Sequence, residues 1–266
     1  MSAREWKLSI VIPAYNEERT LATVVERVNA TPFAKEILIV NDGSKDNTRA
    51  VMEELARNPG IKAFDQPRNM GKGAALRRGF EEATGDIVLV QDADLEYNPA
   101  DYPKLLAPIL QGRADVVYGS RFSPVERKVH SYWHTLGNRA LTTLSNWLAD
   151  MYMTDMETCY KVFRTPVIQN IRLHSDRFGF EPEVTAKIAR IPGLRIWEVP
   201  ISYNYRTYAE GKKIGWKDGV STLARIAWFN LGHSEESAFR IPPEDIVRRL
   251  RDEDAARSSK HRRVER

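Results

Sequence analysis

A single cysteine, Cys159, leaves this 266-residue chain no internal disulfide, and no CxxC or HExxH spacing offers a zinc site. So little cysteine suits a reducing compartment. No run of 18 apolar residues occurs, so no segment spans a bilayer on its own, and any contact with lipid is expected to be peripheral, at the inner face of a membrane. The first fifteen residues, MSAREWKLSIVIPAY, contain no apolar signal core or cleavage site and enter a strand pattern directly, so the chain is read as cytoplasmic. A charge excess of one sign is also missing. Lys plus Arg number 40 against 36 Asp plus Glu, a net +4 that suits a phosphate-bearing ligand or an anionic surface. Nucleic acid is disfavoured as a partner by that mildness and by the lack of a zinc-finger or RNP-type stretch. There is no internal repeat and no low-complexity tract.

What is present is an alternation. Four short apolar runs read as strands: Leu8 to Ile12, Glu36 to Val40, Ile87 to Gln91 and Asp115 to Tyr118. Between them, Glu17 to Asn29 places Leu21, Val24, Val25 and Val28 on one helical face, and Asn47 to Arg57 does the same with Val51, Met52 and Leu55. Strands alternating with helices of this length predict an α/β fold built of βαβ units around a mainly parallel sheet. Such sheets bind ligands beyond the carboxyl ends of their strands. Further on, Trp133 to Met153 and Trp216 to Leu231 read as apolar-rich helices that either lie on a membrane surface or pack on the sheet or a second subunit. The division expected is a catalytic domain over 1–232 and, over 233–266, a charged helix with a disordered tail.

The polar clusters fall at the strand ends. Asp92 and Asp94 follow the run Ile-Val-Leu-Val with one residue between them, so both carboxylates reach one point beyond the sheet edge and offer hard oxygens to Mg²⁺ or Mn²⁺. Glu96 is placed to be a third ligand. An isolated Asp-x-Asp is common in turns; its position after a strand in a βαβ pattern is what favours the metal. Asp42 ends the second strand at the same edge, able to accept from a base N–H or a ribose hydroxyl, or to form an Asx-turn or helix cap; Asp46 is the better cap. Asn69-Met-Gly-Lys-Gly opens another helix. Its glycines allow backbone N–H groups to approach an anion, and Lys72 lies among them, although the GxxxxGK[ST] spacing of a P-loop is absent. Arg206, Lys212 and Lys213, in Tyr205-Arg-Thr-Tyr-Ala-Glu-Gly-Lys-Lys, are cations able to neutralise a diphosphate leaving group, or simply a solvated surface.

Five motifs occur in order: Val-Ile-Pro-Ala-Tyr-Asn-Glu, Val-Asn-Asp-Gly-Ser-Lys-Asp, Asn-Met-Gly-Lys-Gly, Asp-Ala-Asp-Leu-Glu and Gly119-Ser-Arg121. Together, over about residues 7–230, the chain resembles the family 2 glycosyltransferases of the GT-A fold, specifically the dolichol- or polyprenyl-phosphate sugar synthase branch. That resemblance implies a nucleoside pocket of Pro13, Tyr15, Glu17 and Asp42, a metal held by Asp92, Asp94 and Glu96, and phosphate contacts from Arg121, Arg206 and Lys212 or Lys213. The branch often has Gln where this chain has Glu96, and its members often carry transmembrane helices after the catalytic domain, where no apolar run long enough for one is read in these 266 residues. The implied reaction is an inverting, metal-dependent transfer of a hexose from GDP-mannose or UDP-glucose to a polyprenyl phosphate, with Asp94, Arg121 and Arg206 as the catalytic residues. The alternative is a soluble transferase that adds one sugar to a hydroxyl; it needs a base, for which Asp155, Glu157 and Glu181 are the candidates. Glu157 is otherwise a buried carboxylate paired with Lys161 at helical spacing. The Gln-x-x-Arg-Trp motif of processive synthases is absent.

Overall fold

A computed structural model describes residues 6–122, 132–177, 179–205, 216–232 and 234–264. Seven strands form one sheet: β1 (Leu8–Ala14), β2 (Lys35–Asn41), β3 (Ile61–Asp65), β4 (Ile87–Val90), β5 (Val116–Ser120), β6 (Lys161–Arg164) and β7 (Ile196–Pro200). Their order is β3-β2-β1-β4-β6-β5-β7. All ladders are parallel except those of β6, which runs antiparallel to both β4 and β5. The helices are α1 (Leu21–Asn29), α2 (Thr48–Leu55), α3 (Lys72–Glu82), α4 (Tyr102–Leu110), α5 (Tyr132–Ala149), α6 (Thr165–Asn170), α7 (Phe180–Ile188), α8 (Trp216–Leu231), α9 (Glu235–Ala238) and α10 (Pro243–Val264).

Strands β1, β2, β4 and β5 are buried along nearly their whole length, which is why they read as continuous apolar runs rather than as an alternation. On α1 the buried face is the predicted set Leu21, Val24, Val25 and Val28. The helix itself begins at Leu21, because the residues after Tyr15 are drawn into the turn that follows β1.

The chain leaves β1 to build β2 and β3 on one side, then returns to build β4 on the other. Ligands of open α/β sheets bind at such a reversal. The β1–β4 ladder ends at Val11 opposite Val90, whereas β1 pairs with β2 as far as Ala14. Pro13, which has no N–H to donate, falls after the β1–β4 ladder has ended, at the point where open α/β sheets hold their ligand crevice.

The opposite edge of the sheet is closed by α10. Asp86 precedes β4, Asp115 precedes β5, Arg195 precedes β7 and Arg164 ends the antiparallel β6, so all four stand at that rear edge. Asp254 of α10 accepts from Arg164 at 2.7 Å and Arg195 at 3.0 Å, while Arg251 reaches Asp115 at 3.0 Å and Arg257 reaches Asp86 at 2.6 Å. Ile246 and Leu250 are buried beneath the helix. The α10 helix spans Pro243–Val264.

Candidate active site at the β1–β4 cleft

The turns after β1 and β2 interlock. Asn16, in the left-handed region at φ 54, donates its N–H to Ser44 Oγ at 3.0 Å and accepts from the Lys45 N–H at 2.8 Å. The Glu17 N–H donates to Thr48 Oγ1 at 2.8 Å, and Asp46 accepts from the Thr48 N–H at 3.0 Å; the N-cap of α2 is Asn47, so Asp46 lies one residue before the cap position expected of it. Tyr15 and Glu17 are half-buried on the wall this creates, with the Glu17 carboxylate accepting from the Thr20 hydroxyl at 2.7 Å.

Asp42 is buried, and burial raises its pKa against the opposing pull of the N–H groups it accepts from. Its carboxylate takes the Met70 N–H at 2.7 Å, the Gly71 N–H at 2.8 Å and the Gln66 side chain at 3.1 Å, which fixes the loop leading into α3. The glycines of that loop allow a close backbone approach. A Cβ on Gly71 would sit 2.3 Å from the Asp176 carbonyl, and one on Gly73 would sit 2.1 Å from the Ser175 carbonyl. The Ala74 N–H also donates to Asp176 O, so a strap over residues 171–177 lies directly on the loop. Met70, Gly71 and Ala74 spend their N–H groups within the protein.

Lys72 is the cation the loop delivers to the cleft. Its Nζ stands 2.8 Å from Asp92 Oδ1 and 3.4 Å from Glu181 Oε1 of α7. Burial alone would lower its pKa; the two carboxylates outweigh that and hold it well above the usual lysine value. Asp94 Oδ1 accepts from the Glu96 N–H at 3.0 Å, and Glu96 Oε2 accepts from the Tyr203 hydroxyl at 2.8 Å. Among the described residues no three His, Cys, Asp or Glu side chains converge as a metal-ligand set. The donors present are hard carboxylate oxygens from Asp92 and Asp94, a set that suits Mg²⁺ or Mn²⁺ when substrate oxygens complete the shell.

Arg121, just beyond β5, forks onto Asp155 with Nε and Nη2 each at 2.7 Å. Its guanidinium also lies 5.1 Å from the Tyr203 ring centroid. Asp155 is fully buried in this pair, so it is a partner for Arg121 and no free base. Tyr203 makes an isolated bridge with Tyr97, and the Asn204 N–H donates to Glu96 O at 2.8 Å. The backbone thus passes the Asp92–Glu96 turn immediately before the cationic stretch; Arg206, Lys212 and Lys213 themselves lie outside the described residues.

The segment from Asp155 to Tyr160 is not helical, so Glu157 and Lys161 do not stand at helical spacing. Lys161, buried at the start of β6, donates instead to the Met156 and Thr158 carbonyls. Burial raises the Glu157 pKa, with Glu181 adding to the effect. Its Oε1 is buried without a hydrogen-bond partner among the described residues. The role of Glu181 beside Lys72 is a feature that sequence reasoning missed, since only the return of α7 to this edge brings the two together.

The family model for glycosyl transferase family 2 matches residues 9–172, well over half of the chain and all the turns just described except the one after β7. The chain belongs to glycosyl transferase family 2. It is 26% identical over 226 residues to the dodecaprenyl-phosphate galacturonate synthase of Rhizobium johnstonii, covering 83% of this chain. It spans 64% of that relative's length, a little under two thirds. With the dolichyl-phosphate beta-glucosyltransferase of Trichomonas vaginalis it shares 32% identity over 241 residues, 84% of this chain and 73% of the relative. Among solved structures, glucosyl-3-phosphoglycerate synthase from Mycobacterium tuberculosis, in complex with Mn²⁺, UDP and glucosyl-3-phosphoglycerate, superposes with a TM-score of 0.66 at 20% identity, covering 86% of this chain and 82% of that one. The fold is the GT-A fold that the motif order implied.

Proposed function

We propose that this protein transfers a sugar from a nucleotide-sugar donor to a polyprenyl phosphate. The observation that carries this reading is the pairing of Lys72 with Asp92 after β4 at the β1–β4 switch point, in the turn that also carries Asp94. The names of the rhizobial and trichomonad relatives, both acting on prenyl phosphates, support the acceptor class.

In this reading Pro13, Tyr15, Glu17 and Asp42 shape the nucleoside side of the cleft. Asp42 does so through the loop it holds and Glu17 through the wall it stands on. Asp92 and Asp94 would hold Mg²⁺ or Mn²⁺, with Glu96 beside them, its carboxylate drawn to Tyr203; the Mn²⁺ in the mycobacterial complex supports a divalent ion. A bound ion would neutralise charge on the donor diphosphate as it leaves. Lys72, held protonated, adds a second positive charge, and Arg121 a third, oriented by its fork onto Asp155. Arg206, Lys212 and Lys213 supply further cations from the stretch that Tyr203 and Asn204 anchor at the metal turn.

An acceptor phosphate is already anionic near neutral pH and needs no general base. That suits a site where Asp155 is committed to Arg121. Attack opposite the departing diphosphate gives inversion at the anomeric carbon.

Contact with a membrane is peripheral in this proposal. Among the described residues no helix is long and apolar enough to cross a bilayer. Helices α5 and α8 pack on each other, and Trp133, Trp147, Trp228 and Leu231 on them are exposed, as is Tyr152 after α5. Such amphipathic aromatics suit the headgroup region.

The test is incubation with GDP-mannose or UDP-glucose, with Mg²⁺ or Mn²⁺, and a short polyprenyl phosphate in detergent. Label entering the lipid phase only when metal is present is the expected outcome. Turnover confined to soluble hydroxyl acceptors would overturn the acceptor assignment.

A further inference from the structure

A cavity of about 590 Å³ lies outside the β1–β4 cleft, between α3, α6, the 171–177 strap and α10. Its volume falls within the ordinary range for small-molecule sites, roughly 300–1,000 Å³. Arg77, Arg172, Arg240 and Arg249 line it, against one carboxylate, Glu81. Arg240 pairs with Glu81 at 3.2 Å, and Arg77 is spent on the Leu173 carbonyl at 2.9 Å and on Asp176. Arg172 gives its Nε to the Phe239 carbonyl at 2.9 Å and makes no ion pair among the described residues; neither does Arg249. Two guanidinium groups without carboxylate partners therefore share a concave surface with two more that are already satisfied. With Glu81 and Asp176 each offsetting one cation, the Arg172 and Arg249 charges remain, and an anion that accepts from their planar forks offsets them. Phosphate oxygens match the fork geometry, and the volume accommodates more than a lone inorganic ion.

We propose that this cavity is a second anion site, built for a phosphate ester or diphosphate and separate from the donor cleft. None of its lining residues belongs to α5 or α8, so it is distinct from the exposed aromatic face. Its inner wall is the strap whose Ser175 and Asp176 carbonyls rest on Gly73 and Gly71, so the two sites share one stretch of backbone.

Calorimetric titration of the full chain with pyrophosphate, in EDTA, tests the assignment. The Lys72→Met background weakens the donor cleft and isolates the second site. In that background the expected result is a remaining isotherm that Arg172→Gln/Arg249→Gln weakens by about tenfold or more. Both positions are exposed, and Arg249→Gln alone removes no ion pair, so a weakened isotherm in that single variant with an unchanged melting temperature separates lost binding from lost folding. A parallel arm sediments the chain with vesicles of phosphatidylcholine containing phosphatidic acid. Loss of vesicle binding in the double variant, with pyrophosphate silent, assigns the same site to a lipid headgroup. An isotherm and a sedimentation profile both unchanged by the double variant overturn the proposal.

Discussion

Replacing Lys72 by Met removes one positive charge at the centre of the cleft while keeping the length of the side chain. The Nζ–Oδ1 separation of 2.8 Å from Asp92 corresponds to an attraction of about 6 kcal/mol at an effective dielectric of 20. The Lys72 side chain is 21% exposed, so desolvation and solvent screening reduce the net value to about 2 kcal/mol. The variant is therefore expected to melt several degrees lower, since about 1 kcal/mol shifts a chain of this size by 2–4 °C. Turnover should fall by about 10²–10³, the usual cost of deleting one preorganised charge at a leaving group. Divalent metal should respond in the opposite direction. Without Lys72, Asp92 and Glu181 face each other with no cation between them, and a metal at Asp92 no longer competes with an ammonium group. Mn²⁺ binding, followed by electron paramagnetic resonance without donor, should tighten by about tenfold, equivalent to roughly 1.4 kcal/mol. An unchanged or weaker Mn²⁺ affinity together with normal turnover would refute the reasoning, because it would place Lys72 and Asp92 outside the reacting site.

Asp94→Ala is expected to remove detectable glycosyl transfer while leaving the circular dichroism spectrum unchanged, since the residue lies in a turn where its carboxylate accepts the Glu96 N–H. Glu36 is buried against Ser9, Thr84 and Lys62, and although burial pushes its pKa up, these hydrogen bonds bring it down to about 2. The sign follows: the ionised folded form contributes stability in full above the unfolded carboxylate pKa, and that contribution is lost as pH falls through about 2. Glu36→Gln should cost about 2 kcal/mol in urea unfolding at pH 7, and the difference from the parent should shrink through the acid range. Asp254→Ala breaks the bond from α10 to Arg164, a buried guanidinium, and to Arg195; a loss of about 2 kcal/mol is expected, together with faster amide exchange along α10.

The parts of the fold legible in the sequence are those whose burial is complete. Strands β1, β2, β4 and β5 are apolar on both faces and stand out as runs, and α8 occupies the residues its periodicity indicates. Strand β6 escapes notice because its ends are Lys161 and Arg164, charges that read as surface yet are buried in the fold. At the two sheet edges, β3 and β7 carry half-exposed residues and too little apolar character to announce themselves. The polar turns were legible for the same reason as the strands, since each follows one. The pairings that give them function join distant segments: Lys72 with Asp92, Arg121 with Asp155, Asp42 with the loop into α3, and Glu181 with Lys72. The strap over Gly71 and Gly73 is of the same kind. No local pattern reveals that a backbone from a hundred residues later will fill the space those glycines leave.

The central claim is that donor diphosphate and divalent ion meet between the ends of β1 and β4. Relaxation of the ³¹P signals of UDP and GDP by Mn²⁺, measured with the parent chain and with Asp92→Asn/Asp94→Asn, tests it most directly. The account predicts strong broadening of both phosphorus signals of the bound nucleotide with the parent chain, and its loss in the double variant while nucleotide still binds. Equal broadening in both proteins would place the metal elsewhere and contradict the account.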